Sequence, residues 1–241
     1  MQDDLDIDVE IMVTKILPLY NGPFAKLRIK SSDVEYTVSK PLLCQESAYF
    51  KAMFEGEFSE DAEQIATLEP VEGVLSVRSV QCLLQWIYHK RYFVNKKQPA
   101  QEQISSAIEL ARLADMCMVS GLGLHLAQCI KDVLVANPDP DIGLMRNANK
   151  NVFALTGNHI RMAGCLPTGH AVRSMIASAS VEGFLGRGNF KFASEAREYP
   201  TFASDLLFEV KKALVTMKWK SAEFLDPITR KTMSVNGVLL D

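Results

Sequence analysis

The side chains of this sequence suited to thiol–imidazole catalysis or to zinc ligation by sulfur and imidazole are few. They are five cysteines, Cys44, Cys82, Cys117, Cys129 and Cys165, and four histidines, His89, His125, His159 and His170. The tightest grouping for a metal is Cys117, His125 and Cys129. Only His125 and Cys129 stand at helical i, i+4 spacing, and neither a Cys-x-x-Cys nor a second histidine pair supplies a fourth tetrahedral ligand, so no metal site is expected. Gly183, Gly186 and Gly188 invert the spacing of a dinucleotide-binding fingerprint and follow no strand, which makes them a loop between helices and predicts no cofactor. No nucleophile-elbow pattern is present, and a Cys and a His converging in a pocket is kept only as the least favoured reading, an enzyme. Lys90-Arg91 and Lys96-Lys97, interleaved with Tyr92 and Phe93, sit where a helix ends and cations are favoured by its dipole.

The bounds set by composition point the same way. The chain has 241 residues with 48% apolar and 23% charged, the balance of a fully folded protein. A formal charge of −3 offers no basic face for nucleic acid, so no direct DNA or RNA partner is expected. Asp3, Asp4, Asp6, Asp8 and Glu10 with no base exclude a cationic targeting peptide, and no apolar run is long enough to span a bilayer. Scattered cysteines among apolar neighbours read as reduced interior thiols, hence an intracellular protein of cytoplasm or nucleus.

Elements follow from periodicity. Ile7, Val9, Ile11 and Val13 alternate with Asp8, Glu10 and Met12, as in an edge strand seeking a partner. Phe24–Lys30 and Val34–Val38 read as a hairpin, Ser47 as the cap of a short helix carrying Tyr49, Phe50, Met53 and Phe54, and Gln64–Leu68 as a returning strand. From Ser76, the residues Val77, Val80, Leu83, Leu84, Ile87 and Tyr88 line one helix face. A helix with Ile104, Ala107, Ile108, Ala111, Ala114 and Met118 follows, then one through Leu122, Leu126, Ile130, Val133 and Leu134. Asn137-Pro138-Asp139-Pro140 is the best boundary. Beyond it, helices are expected near 142–155, 158–165, 170–185 and 201–217, the last with a stripe of Phe202, Leu206, Leu207, Val210 and Leu214. Asn236-Gly237 could close a small hairpin.

Val38 to Phe54, with Leu42-Leu43-Cys44, Ser47, Tyr49-Phe50 and Met53-Phe54, resembles the signature of BTB/POZ domains. Ser76–Tyr88 looks like the next helix of that family, and Leu110–Asp115 with Val119–Leu122 like its closing helical pair. The remainder, including Asn158–Arg161 and Phe202–Leu207, is similar to the helical extension of fungal BTB proteins. Ser39 stands where the family usually has His, and Lys26 where an acid is common, which removes the charged pair expected with Lys40. Tyr88-His89-Lys90 replaces the usual Tyr-Thr-Gly and implies a different turn.

The fold class expected is therefore α+β: an acidic extended segment over 1–23, a BTB/POZ domain over 24–136 with a small sheet flanked by short helices, and a helical extension over 137–241. The resemblance implies a non-enzymatic protein–protein interaction module. It would self-associate, with its N-terminal strand either exchanged in a homodimer or else paired within its own chain or left as a loose leader, and recruit other proteins, as a substrate adaptor on a cullin-type ubiquitin ligase or alternatively as a transcriptional co-regulator or scaffold oligomeriser; the sequence leaves these alternatives open. Candidate anchors are Ile7, Val9, Ile11, Val13, Phe54 and Phe58, with core packing the competing reading for Phe54.

Overall fold

A computed structural model describes residues 14, 16–30, 32–56, 63–138, 153–185 and 191–215, together with the backbone of 223–225 and 232–234. Ile7, Val9, Ile11, Val13, Phe58, most of the helix expected near 142–155, Gly186, Gly188 and Asn236-Gly237 lie outside the described residues.

After a short helix α1 (Leu17–Tyr20), strand β1 (Phe24–Ile29) alternates as the sequence does: Ala25, Leu27 and Ile29 are buried, Phe24, Lys26 and Arg28 exposed. Strand β2 (Glu35–Ser39) pairs with it antiparallel, from Phe24 opposite Ser39 to Arg28 opposite Glu35. Helices α2 (Lys40–Glu46) and α3 (Ala48–Glu55) carry the chain across, so that β3 (Ile65–Leu68) can lie parallel to β1 on its other side. The sheet order is β2-β1-β3.

Side-chain caps start these helices where the residues predict. Ser47 accepts from the Phe50 N–H at 3.1 Å and donates to the Cys117 carbonyl at 2.6 Å, which ties α3 to a much later part of the chain. Ser76 and Ser79 form a reciprocal capping box at the head of α4 (Val77–His89). Val80, Leu83 and Ile87 are buried on α4, and Val77, Leu84 and Tyr88 pack partly buried against the same core. Helix α5 (Ala100–Met116) buries nearly its whole circumference, and α6 (Leu122–Ala136) follows a left-handed Gly121. Then come α7 (Gly157–Gly164), α8 (Ala171–Leu185), α9 (Ala193–Glu198) and α10 (Pro200–Val215). A two-stranded pairing of β4 (Glu223–Leu225) with β5 (Thr232–Ser234) ends the described chain. One hydrophobic cluster runs without a break from Ala25 to Val210.

Several expectations need correction. Lys40–Glu46 is a helix: Ser39 caps it, accepting from the Leu42 N–H, and Pro41 sits in the first turn, where its missing N–H is harmless. Phe153 to Leu155 are not helical and lead into Thr156, which caps α7. Met118 lies beyond the end of α5 in a left-handed turn and is exposed, because the chain must reverse there into α6. On α10 only Phe202, Leu206 and Val210 are buried; their four-residue spacing makes a single line against α8, and Leu207 and Leu214 fall outside it. Cys165 is exposed rather than interior.

Two polar contacts hold the helical remainder together. Arg173, buried on α8, is ion-paired with Asp205 of α10 and donates also to the carbonyls of Leu166 (3.1 Å) and Thr201 (3.3 Å). His159, 1% exposed on α7, accepts from the Thr156 N–H at Nδ1 (3.1 Å). Its Nε2–H therefore faces the Gln101 carbonyl (3.1 Å) and the Ser105 hydroxyl (2.9 Å) on α5, so the ring is neutral and bridges the two helices.

Replacing Arg173 with Met strands the Asp205 carboxylate and should cost about 3–5 kcal/mol in urea unfolding, whereas Arg173→Met with Asp205→Leu should lose clearly less. If both variants lose equally, the pair is not what joins α8 to α10. Burial pushes the His159 pKa down, against smaller opposing effects of the Gln101 carbonyl and Glu102. The unfolded chain then binds the proton more readily, so this contribution is complete above about pH 6.5 and is lost as pH falls below it towards the lowered folded value. Stability measured from pH 8 to 5 should fall more steeply for the parent than for His159→Gln.

Candidate interaction surface

The surface that stands out is built around α1. The Tyr20 hydroxyl donates to the Tyr88 carbonyl at 3.0 Å, and the two rings meet edge to face with centroids 5.9 Å apart. The Tyr88 hydroxyl accepts from the Ser39 N–H at 2.8 Å, and the Ser39 hydroxyl donates to the Leu19 carbonyl. Ser39 thus caps α2 with its oxygen and holds α1 with its proton, a double task a hydroxyl can perform. Clamped this way, α1 and the start of β1 hold three apolar side chains in solvent: Leu17, Tyr20 and Phe24, exposed 44%, 37% and 56%.

The clamp ends beside a groove of about 490 Å³ lined by Gln85, His89, Arg91 and Phe93. Phe93 is exposed, and its N–H donates to Gln85 Oε1 at 3.1 Å, which fixes the strand-like segment after α4. Tyr92 turns inward and is buried. Lys90 closes α4 in the left-handed conformation (φ 52°) and is ion-paired with Glu46. The turn expected to differ is therefore made with the backbone shape that glycine most easily supplies.

A second groove, of about 400 Å³, opens at the corner between α5 and α6, where Leu124 is exposed near Asp115, Val119 and His170. His170 caps α8, Nδ1 accepting from the Val172 N–H at 3.2 Å, and burial lowers its pKa.

On the sheet's outer face, Lys26 reaches Glu35 at 2.8 Å and Arg28 reaches it at 2.9 Å, so the lysine found where an acid was expected pairs with an acid diagonal to it on β2, the one opposite Arg28. Those two cations hold the Glu35 carboxyl below the usual carboxylate range. The thiols show the opposite of activation. Burial pushes Cys117 up to about 12 and raises Cys44, Cys82 and Cys129. His125 packs on the Trp86 ring, centroids 5.5 Å apart, and among the described residues no group of three or more His, Cys, Asp or Glu is arranged to hold a metal.

Of the expected anchors, Phe54 is 0% exposed and stacks on Phe50, centroids 6.5 Å apart. It is a core side chain, since α3 buries the face that Phe50 and Phe54 share at i, i+4. Leu17, Tyr20, Phe93 and Leu124 were not singled out beforehand. Phe24 could have been: it shares the outward parity of Lys26 and Arg28 in β1.

Residues 20–120 match the BTB/POZ domain family. Over these residues the chain has the fold of a BTB/POZ domain. Such domains are protein–protein interaction modules, and the three-stranded sheet with its helices accounts for the ordered motifs from Val38 to Leu122. Among curated proteins no relative matches the chain. The clamp made by Tyr20, Ser39 and Tyr88 lies wholly within the BTB/POZ domain, and α7 to α10 lie beyond its matched residues. No described helix is long and apolar enough to cross a membrane.

Ser39→Ala removes both the α2 cap and the hold on Leu19. It should destabilise by about 1–2 kcal/mol and speed amide exchange over residues 17–20 ahead of the sheet. Unchanged exchange at 17–20 would show that α1 is held by other means.

Proposed function

We propose that the protein is a non-enzymatic interaction module that self-associates through its N-terminal segment and recruits a second protein. The observation that carries this reading is the clamp of α1 on Ser39 and Tyr88. It fixes where the preceding residues leave the domain, beside exposed Leu17, Tyr20 and Phe24 and close to the groove of His89, Arg91 and Phe93. The preceding segment is alternately acidic and apolar, with Asp6, Asp8 and Glu10 between Ile7, Val9 and Ile11. An apolar stripe flanked by acids complements an exposed phenylalanine flanked by Arg91 and His89, and a strand with one apolar face gains most by adding to another chain. Ile7, Val9, Ile11 and Val13 are then the anchors, seated on a second copy. Phe58, four residues beyond Phe54, is kept as a secondary anchor.

Helices α7–α10 serve as the surface that selects the recruited protein, with the BTB/POZ domain linking it to a cullin-type ligase scaffold inside the cell, as the resemblance to this fold implies. Burial raises the Cys44, Cys82, Cys117 and Cys129 thiols, which disfavours nucleophilic chemistry at these four.

Light scattering of the full chain should give a dimer mass, and the chain lacking residues 1–13 should give half of it at the same concentration. Arg91→Glu should weaken the dimer by about tenfold or more, a like-charge contact with the acidic segment. An unchanged mass after the deletion rules out the N-terminal route. Recovery of a co-regulator in place of a cullin on affinity purification would move the recruited partner to the transcriptional class.

A further inference from the structure

The groove at the corner of α5 and α6 shares no lining residue with the one beside the clamp. Both halves of the chain build it: α5 contributes Asp115, α6 contributes Leu124, and the turn that leads into α8 contributes Gly169 and His170. Its volume of about 400 Å³ lies in the range of concavities that take a ligand. Leu124 on its lining is exposed 79%, and Met118, next to the lining residue Val119 in the turn, is exposed 65%.

Two polar groups in this groove are left over. The Asp115 carboxylate is exposed and has neither an ion pair nor a side-chain hydrogen bond among the described residues. It stands in the last turn of α5, where the helix dipole disfavours an acid, and no basic residue shares that turn. His170 is the second group. Its Nδ1 accepts from the Val172 N–H and burial keeps the ring neutral, so the ring proton is on Nε2. That N–H has no acceptor among the described residues, and Gly123 leaves it room, since a Cβ there would lie 3.2 Å from Nε2. Apart from Ser120 the rest of the lining is apolar or glycine, with no Lys or Arg.

These features describe an occupant. Asp115 calls for a cation, His170 for a carbonyl oxygen, and Leu124 for an apolar side chain. A polypeptide with Arg or Lys beside a leucine-sized residue offers all three within a few residues, and the aliphatic stem of the basic side chain suits the apolar floor. A bare divalent cation would want several oxygen ligands where the groove has one carboxylate, and a nucleic acid would meet that carboxylate with its phosphates. The chain's own acidic start, Asp3 to Glu10, is repelled by the same charge, so a second copy does not fit through that segment.

We propose that the α5–α6 groove docks a basic, apolar linear segment of the recruited protein. Asp115 takes an Arg or Lys side chain, His170 a main-chain carbonyl, and Leu124 the neighbouring apolar residue. This names the chemistry of the recruited partner and so rests on the recruiting half of the function proposed above; the N-terminal route of self-association does not enter it. Because α8 packs on α6, the groove exists only while the helical extension is in place.

The test uses the full chain and a capped peptide, acetyl-Ala-Leu-Arg-Leu-Ala-amide, beside the same peptide with Glu in place of Arg, followed by amide chemical shifts. The Arg peptide should shift amides within 111–124 and 169–172 and bind about tenfold or more tightly than the Glu peptide. Asp115→Asn should abolish that preference and Asp115→Lys should reverse it, both with an unchanged unfolding midpoint because the residue is exposed. Equal binding of the two peptides, shifts centred elsewhere, or no shift at about 10 mM peptide overturns the proposal. Any of these results, with a partner still recovered from cells by affinity purification, removes this groove and leaves the recruiting reading standing. An Arg preference that Asp115→Lys reverses, with no partner recovered, supports the groove and counts against that reading.

Discussion

Everything in this molecule is arranged around a helix that has no face for water. From Ile104 to Ala114, α5 buries every residue except Ser105 and Arg112, and those two are only partly exposed. A helix apolar all round can exist only if each flank is covered. Helix α4 covers one flank, α6 a second and α7 a third. The polar groups along α5 are each assigned: Glu109 takes Arg78 (3.1 Å from Nε), Arg112 donates to the Gly73 carbonyl (2.9 Å), Ser105 meets His159. Gly73 suits this turn because its φ is +66°, and a Cβ there would also crowd the Arg112 guanidinium at 2.8 Å.

It follows that α7 and α8 are not an appendage to the BTB/POZ domain. His159 on α7 reaches into α5, α8 packs on α6, and Leu155, Ile160, Val172 and Ile176 join the same buried cluster as Leu27 and Phe50. Losing that cover would expose a large share of the α5 surface, and at roughly 25 cal/mol per Å² of apolar area several leucine-sized side chains would outweigh a typical margin of stability. The extension's stability is thus coupled to that of the domain, and a proton on His159 acts on both.

What could be read from the residues was what depends on local geometry. Period two in β1, the line of Val80, Leu83 and Ile87 in α4, and the serine caps at 47 and 76 follow from strand pleat, helix pitch and unpaired N–H groups, all fixed within a few residues. What could not be read depends on which neighbour arrives. Pro41 does not announce a helix by its type, because its place in the first turn of α2 rests on Ser39 acting as the cap. Phe54 is a plausible anchor by type, and only the approach of Phe50 and the sheet makes it core. Leu206 and Leu207 are the same residue type at adjacent positions; the line of contact with α8 decides which is inside. The surface clamp was least legible, since Tyr20, Ser39 and Tyr88 are far apart in the chain and their convergence is a property of the fold alone.

Charge then decides where this surface can be used. The outward face of the sheet carries Lys26, Arg28 and Lys30, and each is paired, the first two with Glu35 and the third with Glu69. Exposed pairs of this kind add little stability. Their effect is on association: a face whose charges are already matched offers an incoming chain no unmet partner and imposes desolvation on anything that covers it. Leu17, Tyr20, Phe24 and Phe93, unlike exposed Val71, Met118, Leu124 and Val135, lie about the clamp, where Arg91 and His89 stand near them with no carboxylate lining the same groove. On the proposed reading, matched charge over the sheet and Arg91 beside apolar residues at the clamp would direct an acidic, apolar segment to the clamp. In that proposal the ion pairs that close the sheet face contribute to selectivity as much as the hydrophobic residues exposed at the clamp.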